Sequence, residues 1–322
     1  FAGTAECFRA TGRRVCAGGP SGPPRLEATM RQRIAITGAN GYLASLVQRY
    51  NAERFEFVRV SRADVDYTKP DEVARFFSDL DFDLLFHTAA NATTADCESD
   101  PHGTHLVNCD SAIEIAKVCE SRGKRMLFIS TEQLFNGKSE PGPFGEDVEP
   151  NCVTNYGQQK AEVDAWLQEN SSDHVTLRLS WMFGMAMPGV KPSPGIVGNV
   201  LKALRTETPT KFTVNEKRCM TYAQQLADNF GKICELPSGT YHFAAANGTG
   251  ADDGLSTYEC AKVVARKFGY DDDRIERFIL PNHDRYTDRF RDFRLDASKL
   301  ASHGIELGAF EANVDRCLSD FG

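Results

Sequence analysis

Tyr156 and Lys160 stand four positions apart, in Tyr156-Gly157-Gln158-Gln159-Lys160. On a helix that spacing puts both side chains on one face. A phenol ordinarily ionises near pH 10. Bringing that to near 7 takes about 4 kcal/mol of preference for the phenolate, at about 1.36 kcal/mol per pH unit. A neighbouring ammonium, together with the positive ring of an oxidised nicotinamide, supplies part of it. Tyr156 could then hand a proton to a carbonyl oxygen as hydride reaches its carbon. Thr131 lies 25 residues earlier, directly after the apolar run Arg125–Ser130. A hydroxyl at the carboxyl end of a strand sits on the rim where α/β sheets take ligands, and it can polarise the same oxygen.

A second set of residues suits a phosphate. Thr37-Gly38-Ala39-Asn40-Gly41-Tyr42-Leu43-Ala44 reads TGxxGxxA. Gly38 permits a tight turn. Gly41 lets the backbone approach a pyrophosphate at a positive helix N-terminus, and Ala44 allows close helix–strand packing. The cofactor-binding candidates on this turn are Gly38, Asn40, Gly41, Tyr42 and Leu43. The next strand ends Val60-Ser61-Arg62, with no acidic residue among the three. Arg62 is therefore available for a 2′-phosphate, which favours NADP(H) over NAD(H).

The elements that must position these groups alternate along the chain. Strands are expected at Arg33–Thr37, Phe55–Val60, Asp83–Thr88, Arg125–Ser130, His174–Ser180 and Thr240–Ala244. Helices are expected at Gly41–Tyr50, Lys69–Leu80, Pro101–Arg122, Tyr156–Asn170, Val197–Leu204, Tyr222–Leu236 and Ser256–Phe268. The alternation predicts an α/β fold: a Rossmann-type doubly wound parallel sheet with helices on both faces. Residues 30–181 are expected to form the dinucleotide-binding domain, with returns from about 221–250. Residues 182–220 and 251–322, richer in loops, are expected to form a smaller C-terminal substrate lobe.

Composition removes several function classes. Lys+Arg 37 against Asp+Glu 45 gives a net charge of −8, so the chain has no general attraction for nucleic acid. No run approaches the ~20 apolar residues of a membrane span. None of the ten cysteines forms a CxxC or a zinc-ribbon pattern. They read as reduced thiols, and a cytoplasmic location is expected. His105 and Cys109 could share a helical face as a metal pair; a helix wall is the reading adopted, and no metal is expected. Residues 1–29 are basic and Gly/Pro-rich, with no secretory core. Met30 directly precedes the first strand, and no part in the fold is expected of this extension.

Taken together the motifs resemble the extended short-chain dehydrogenase/reductases. Within them they resemble the dTDP-4-dehydrorhamnose reductase and sugar-nucleotide-binding family. The segment from Ser130 to Gly137 (STEQLFNG) is similar to that family's STDYVFDG. Asn155–Lys160 is similar to its NxYGxSK, Leu177–Gly184 (LRLSWMFG) to LRTSWVYG, and Arg289–Leu300 to RPxNxxLDxSKL. The resemblance implies a catalytic set of Thr131, Tyr156 and Lys160, with Lys160 also holding the cofactor ribose. It implies that Asp66 lies near the adenine and that Ala89 and Ala90 form a small-residue turn against the cofactor. Substrate-binding candidates are Glu132, Gln133, Trp181, Arg218 and Arg289.

Three departures touch the substrate side. Gln133 replaces a tyrosine, Arg218 replaces a glycine, and Phe290 and Asp292 replace a proline and an asparagine. The implied function is an NADPH-dependent reductase of a nucleotide-linked 4-keto sugar, as in dTDP-rhamnose biosynthesis. The alternatives are a non-catalytic NADP-binding regulatory subunit and a nucleotide-sugar epimerase or dehydratase. A nucleotide-sugar is the expected small-molecule partner, and a homodimer is the assembly open to the chain.

Overall fold

Alternation along Arg33–Thr37 decides how the first strand is buried. In the computed structural model, which describes residues 31–190, 193, 195–250 and 253–321, Ile34 and Ile36 enter one core while Ala35 enters another. The same period recurs next door. Leu84 and Phe86 face the first core, and Leu85 the second. A sheet buried on both faces needs such near-continuous apolar strands.

The strands are β1 (Arg33–Thr37), β2 (Glu56–Val60), β3 (Leu84–His87), β4 (Arg125–Thr131), β5 (His174–Leu179), β6 (Trp181–Phe183), β7 (Thr210–Thr213), β8 (Glu216–Lys217), β9 (Met220–Tyr222), β10 (Gly239–Phe243), β11 (Ile279–Asn282) and β12 (Arg291–Asp292). Six of them make the main sheet in the order β10-β5-β4-β3-β1-β2, with every pairing parallel. After β2 the chain returns to the other side of β1 to lay down β3. The strand order therefore reverses between β1 and β3, where open α/β sheets bind ligands beyond their carboxyl ends. The expected doubly wound parallel sheet is borne out.

Helices α1 (Tyr42–Asn51) and α2 (Pro70–Asp79) follow β1 and β2, with Pro70 at the opening of α2. Beyond β3 come α3 (Thr94–Ser99), α4 (Pro101–His105) and α5 (Ser111–Ser121). The single helix expected over Pro101–Arg122 is interrupted by a π-turn at Leu106–Asp110, where the Ser111 N–H donates to the Leu106 carbonyl five residues back. The turn delivers Asn108 into the interior. Its amide donates to the Asn91 carbonyl and to Gln159 Oε1, and its Oδ1 accepts from the Asn91 N–H. Satisfying a buried amide on three sides offsets the poorer backbone geometry of the turn.

The catalytic-motif helix is α6 (Asn155–Asn170), capped by Thr154, whose hydroxyl accepts the Gly157 N–H. The part expected as a substrate lobe pairs its short strands two by two: β6 with β9, β7 with β11 and β8 with β12. Its own core gathers Phe183, Ile196, Val200, Met220, Val264, Ile275 and Val314. This core and the sheet belong to one compact unit from Arg31 onward. The expected extension at 1–29 lies outside the described residues. No helix among those described is long and apolar enough to cross a membrane.

Candidate active site

The turn after β1 closes on itself through a hydrogen bond from the Gly41 N–H to the Gly38 carbonyl. Gly38 has φ +61°, and a Cβ there would sit 3.0 Å from the backbone N and Cα of Ala89. Two backbones thus touch at the sheet's switch point, and only glycine allows it. Gly41 caps α1 in extended geometry with no side chain on the first-turn amides. An open helix N-terminus above a glycine turn is a fit for a pyrophosphate.

Arg59 was not singled out by the sequence reading. Its guanidinium donates to Asn40 Oδ1 (2.8 Å) and to Gln48 Oε1, which puts a cation beside the loop. A charged residue inside the apolar strand FVRV was the available signal. Arg62 is exposed just past β2. Asp66 is exposed as well, and the Thr68 N–H and hydroxyl that it accepts hold its carboxyl below the usual range. Tyr42 turns away from the loop: its hydroxyl donates to the Met185 carbonyl (2.8 Å) and ties α1 to the segment after β6.

A cleft of about 390 Å³ opens at the carboxyl ends of the sheet. Its lining includes Leu43, Thr88 and Ala90, together with Thr131, Glu132, Gln133, Tyr156, Lys160, Trp181 and Arg218. Local packing brings them there. The first turn of α6 lies against the short 3-10 turn Glu132–Phe135, so closely that a Cβ on Gly157 would stand 2.9 Å from the Gln133 carbonyl. Gly157, the second residue of the YxxxK pair, is therefore what lets Tyr156 reach Thr131.

Thr131 Oγ1 accepts the Gln133 N–H (3.2 Å), leaving its proton to donate. Burial pushes the Tyr156 phenol well above its ordinary value, the charges of Cys97 and Glu132 add to this, and a hydrogen bond from Thr131 opposes it. Lys160 is buried too. Its ammonium donates to the Ile129 carbonyl (2.9 Å) and lies 4.6 Å from the centre of the Phe128 ring. Burial lowers its pKa to about 8. In the protein alone desolvation dominates the phenol; the lowering is expected of the ammonium and a nicotinamide ring together. A cationic ring against the phenol would supply the missing part.

Glu132 and Arg218 form a buried ion pair on the lining of the cleft. Glu132 Oε2 accepts the Trp181 N–H (3.1 Å), and Oε1 accepts from Arg218 (2.9 Å). Arg218 also meets Glu216 (3.0 Å) and lies over the Trp181 and Phe293 rings. Its cation is thus already balanced by Glu132 and Glu216. Gln133, Trp181 and Arg218 border a second cavity of about 500 Å³, where Lys202, Lys211 and Arg285 supply further cations. No spacing in the sequence pointed to those three. Arg289 is not brought to the cleft: its guanidinium is spent on the Lys138 and Asn136 carbonyls. A further hollow of about 620 Å³, lined by Lys217, Tyr258 and Phe290 among others, holds none of these groups.

Comparison with known proteins gives relatives and a family. The chain is 25% identical over 293 residues to a Haloferax volcanii protein named "Probable low-salt glycan biosynthesis reductase Agl14", covering 87% of this chain and 94% of that one. It is 24% identical over 289 residues to the methionine adenosyltransferase 2 subunit beta of Bos taurus, covering 85% and 83%. The fold matches the crystal structure of a dTDP-4-dehydrorhamnose reductase from Bacillus anthracis in complex with NADP. That match has a TM-score of 0.76 at 20% identity and covers 90% of this chain and 100% of that one. Residues 32–322 match the family described as the RmlD substrate binding domain, with its extended short-chain dehydrogenase/reductase fold, and the chain belongs to that family.

Proposed function

We propose that the protein is an NADPH-dependent reductase of a nucleotide-linked 4-keto sugar. The observation that carries this reading is the convergence of Thr131, Tyr156 and Lys160 on one cleft beside the glycine turn. The dinucleotide would lie with its pyrophosphate over Gly38 and Gly41, and Arg62, with Arg59 nearby, would meet a 2′-phosphate. When bound it supplies the hydride. Thr131 donates to the ketone oxygen and aligns it, Tyr156 gives that oxygen its proton, and Lys160 holds the ribose and stabilises the phenolate left behind. The ketone gains a hydride and a proton and becomes an alcohol. The second cavity, with Lys202, Lys211 and Arg285 on its wall, would take the anionic nucleotide end. The names of two similar proteins, a probable low-salt glycan biosynthesis reductase and a dTDP-4-dehydrorhamnose reductase, support the same class.

The test is NADPH oxidation with dTDP- and UDP-linked 4-keto sugars. Tyr156→Phe should lower kcat by about 10²–10⁴-fold while leaving NADPH binding in place. Unchanged turnover in that variant would overturn the assignment of roles. A second reading has one observation in its favour: the likeness to a protein named as a subunit of another enzyme extends over 85% of the chain. NADP binding without turnover on any sugar nucleotide, together with a stoichiometric protein partner, would favour that regulatory role. An epimerase or dehydratase would instead keep its dinucleotide bound and return it to its starting redox state.

A further inference from the structure

The π-turn does more than bury Asn108. In a regular helix His105 and Cys109 would be neighbours one turn apart, and Asp110 would lie off to the side. The extra residue closes that gap. His105 Nδ1 stands 3.2 Å from Asp110 Oδ2, five positions on. One ligand atom from each of His105, Cys109 and Asp110 lies within 4.8 Å of the others. The fourth group comes from another element: Glu162 Oε2, on α6, is 3.0 Å from His105 Nε2. Cys109 is fully buried, whereas His105, Asp110 and Glu162 are each partly open to solvent. The thiol therefore forms the floor of a shallow cup whose rim carries an imidazole and two carboxylates.

The geometry points to a divalent metal site of the zinc class at the π-turn, with His105, Cys109 and Asp110 as ligands and Glu162 as the group that holds the imidazole. Thiolate, imidazole and carboxylate together select zinc or cobalt over magnesium or calcium. Ligands about 2.0–2.3 Å from a tetrahedral ion lie about 3.3–3.8 Å apart, so the cup has to draw in by only about 1 Å. The fourth position faces solvent and takes a water. A metal-bound imidazole commonly passes its other ring N–H to a carboxylate, and Glu162 stands at that nitrogen. Binding displaces the Cys109 proton to solvent and forms the metal–sulfur bond, with no change of oxidation state. The ion would fasten the π-turn to α6 two residues beyond Lys160. None of these four side chains lines the cleft, although the charge of Cys109 bears on the Lys160 ammonium.

The full chain, stripped with a chelator, is titrated with Co²⁺ and then with Zn²⁺. The expected result is one Co²⁺ per chain, with a sulfur-to-cobalt band in the near ultraviolet and the intense visible bands of a four-coordinate ion, both lost when Zn²⁺ displaces it. Cys109→Ser should lose the near-ultraviolet band. Glu162→Gln, at a half-exposed position, should keep the band and weaken binding by about 10-fold or more. No band in the wild type, a band that survives Cys109→Ser, or equal affinity in wild type and His105→Gln would overturn the site. The cluster would then be an imidazole held between two carboxylates. Should Cys109→Ser fail to fold, the affinities of Glu162→Gln and His105→Gln decide the question.

Discussion

Replacing Glu132 with glutamine probes the charge balance at the floor of the cleft. Glu132 and Glu216 are both buried and share the single guanidinium of Arg218. One cation cannot fully compensate two desolvated carboxylates, so burial lifts Glu132 from its ordinary 4.5 to about 7, against the pull of Arg218. A carboxyl whose folded pKa lies above its unfolded value contributes stability below the unfolded pKa and loses it as pH rises through the folded one. The gap from 4.5 to about 7 corresponds to about 3 kcal/mol, at about 1.36 kcal/mol per pH unit. Wild type should therefore lose up to about 3 kcal/mol from this group between pH 4.5 and 8, and Glu132→Gln should not. Glutamine also gives up one of the two acceptor oxygens, which adds an offset independent of pH. The quantity to follow is thus the slope. Urea unfolding of both proteins at pH 5, 6.5 and 8 should show the variant gaining on wild type with each step. Parallel stability curves would refute the argument and show that Arg218 satisfies both carboxylates at once.

Two further substitutions test the cofactor side. Gly38→Ala places a methyl against the Ala89 backbone at a positive φ, which should cost about 1–3 kcal/mol and abolish the rise in Tm expected of wild type with NADPH. Arg62→Ala should raise the KM for NADPH by about 10-fold or more and leave that for NADH nearly unchanged, since a lost charge-assisted contact is worth about 1.5–3 kcal/mol; equal changes for both cofactors would mean that Arg62 does not read the 2′-phosphate.

Much of the main sheet could be read from the sequence because its signals are local. Each strand is an apolar run followed by a turn and an amphipathic helix, and β1 to β5 fall within a residue or two of their expected bounds. The glycine turn and the YxxxK pair are likewise short-range patterns: Tyr156 and Lys160 line the cleft, and Gly38 packs against Thr88, which lines it too. What escaped depends on distance along the chain or on desolvation. β6 pairs with β9 and β7 with β11 across tens of residues, in strands too short to show a period. The π-turn keeps enough apolar residues on its inner side to pass for ordinary helix. Arg218 and Arg289 look equally free in the sequence. One is clamped by two glutamates and the other by two carbonyls, and only packing reveals it.

The extra residue at Leu106–Asp110 also bears on how this stretch would tolerate a change in length. An α-helix turns about 100° per residue, so deleting one codon there would restore regular winding and rotate everything upstream by about that angle. Asn91 and Gln159 would lose their common tether, and His105 would swing out of reach of α6. Two chains of this kind that align without a gap in every other position could still present different faces along this helix, and a single-residue indel would be the trace of it.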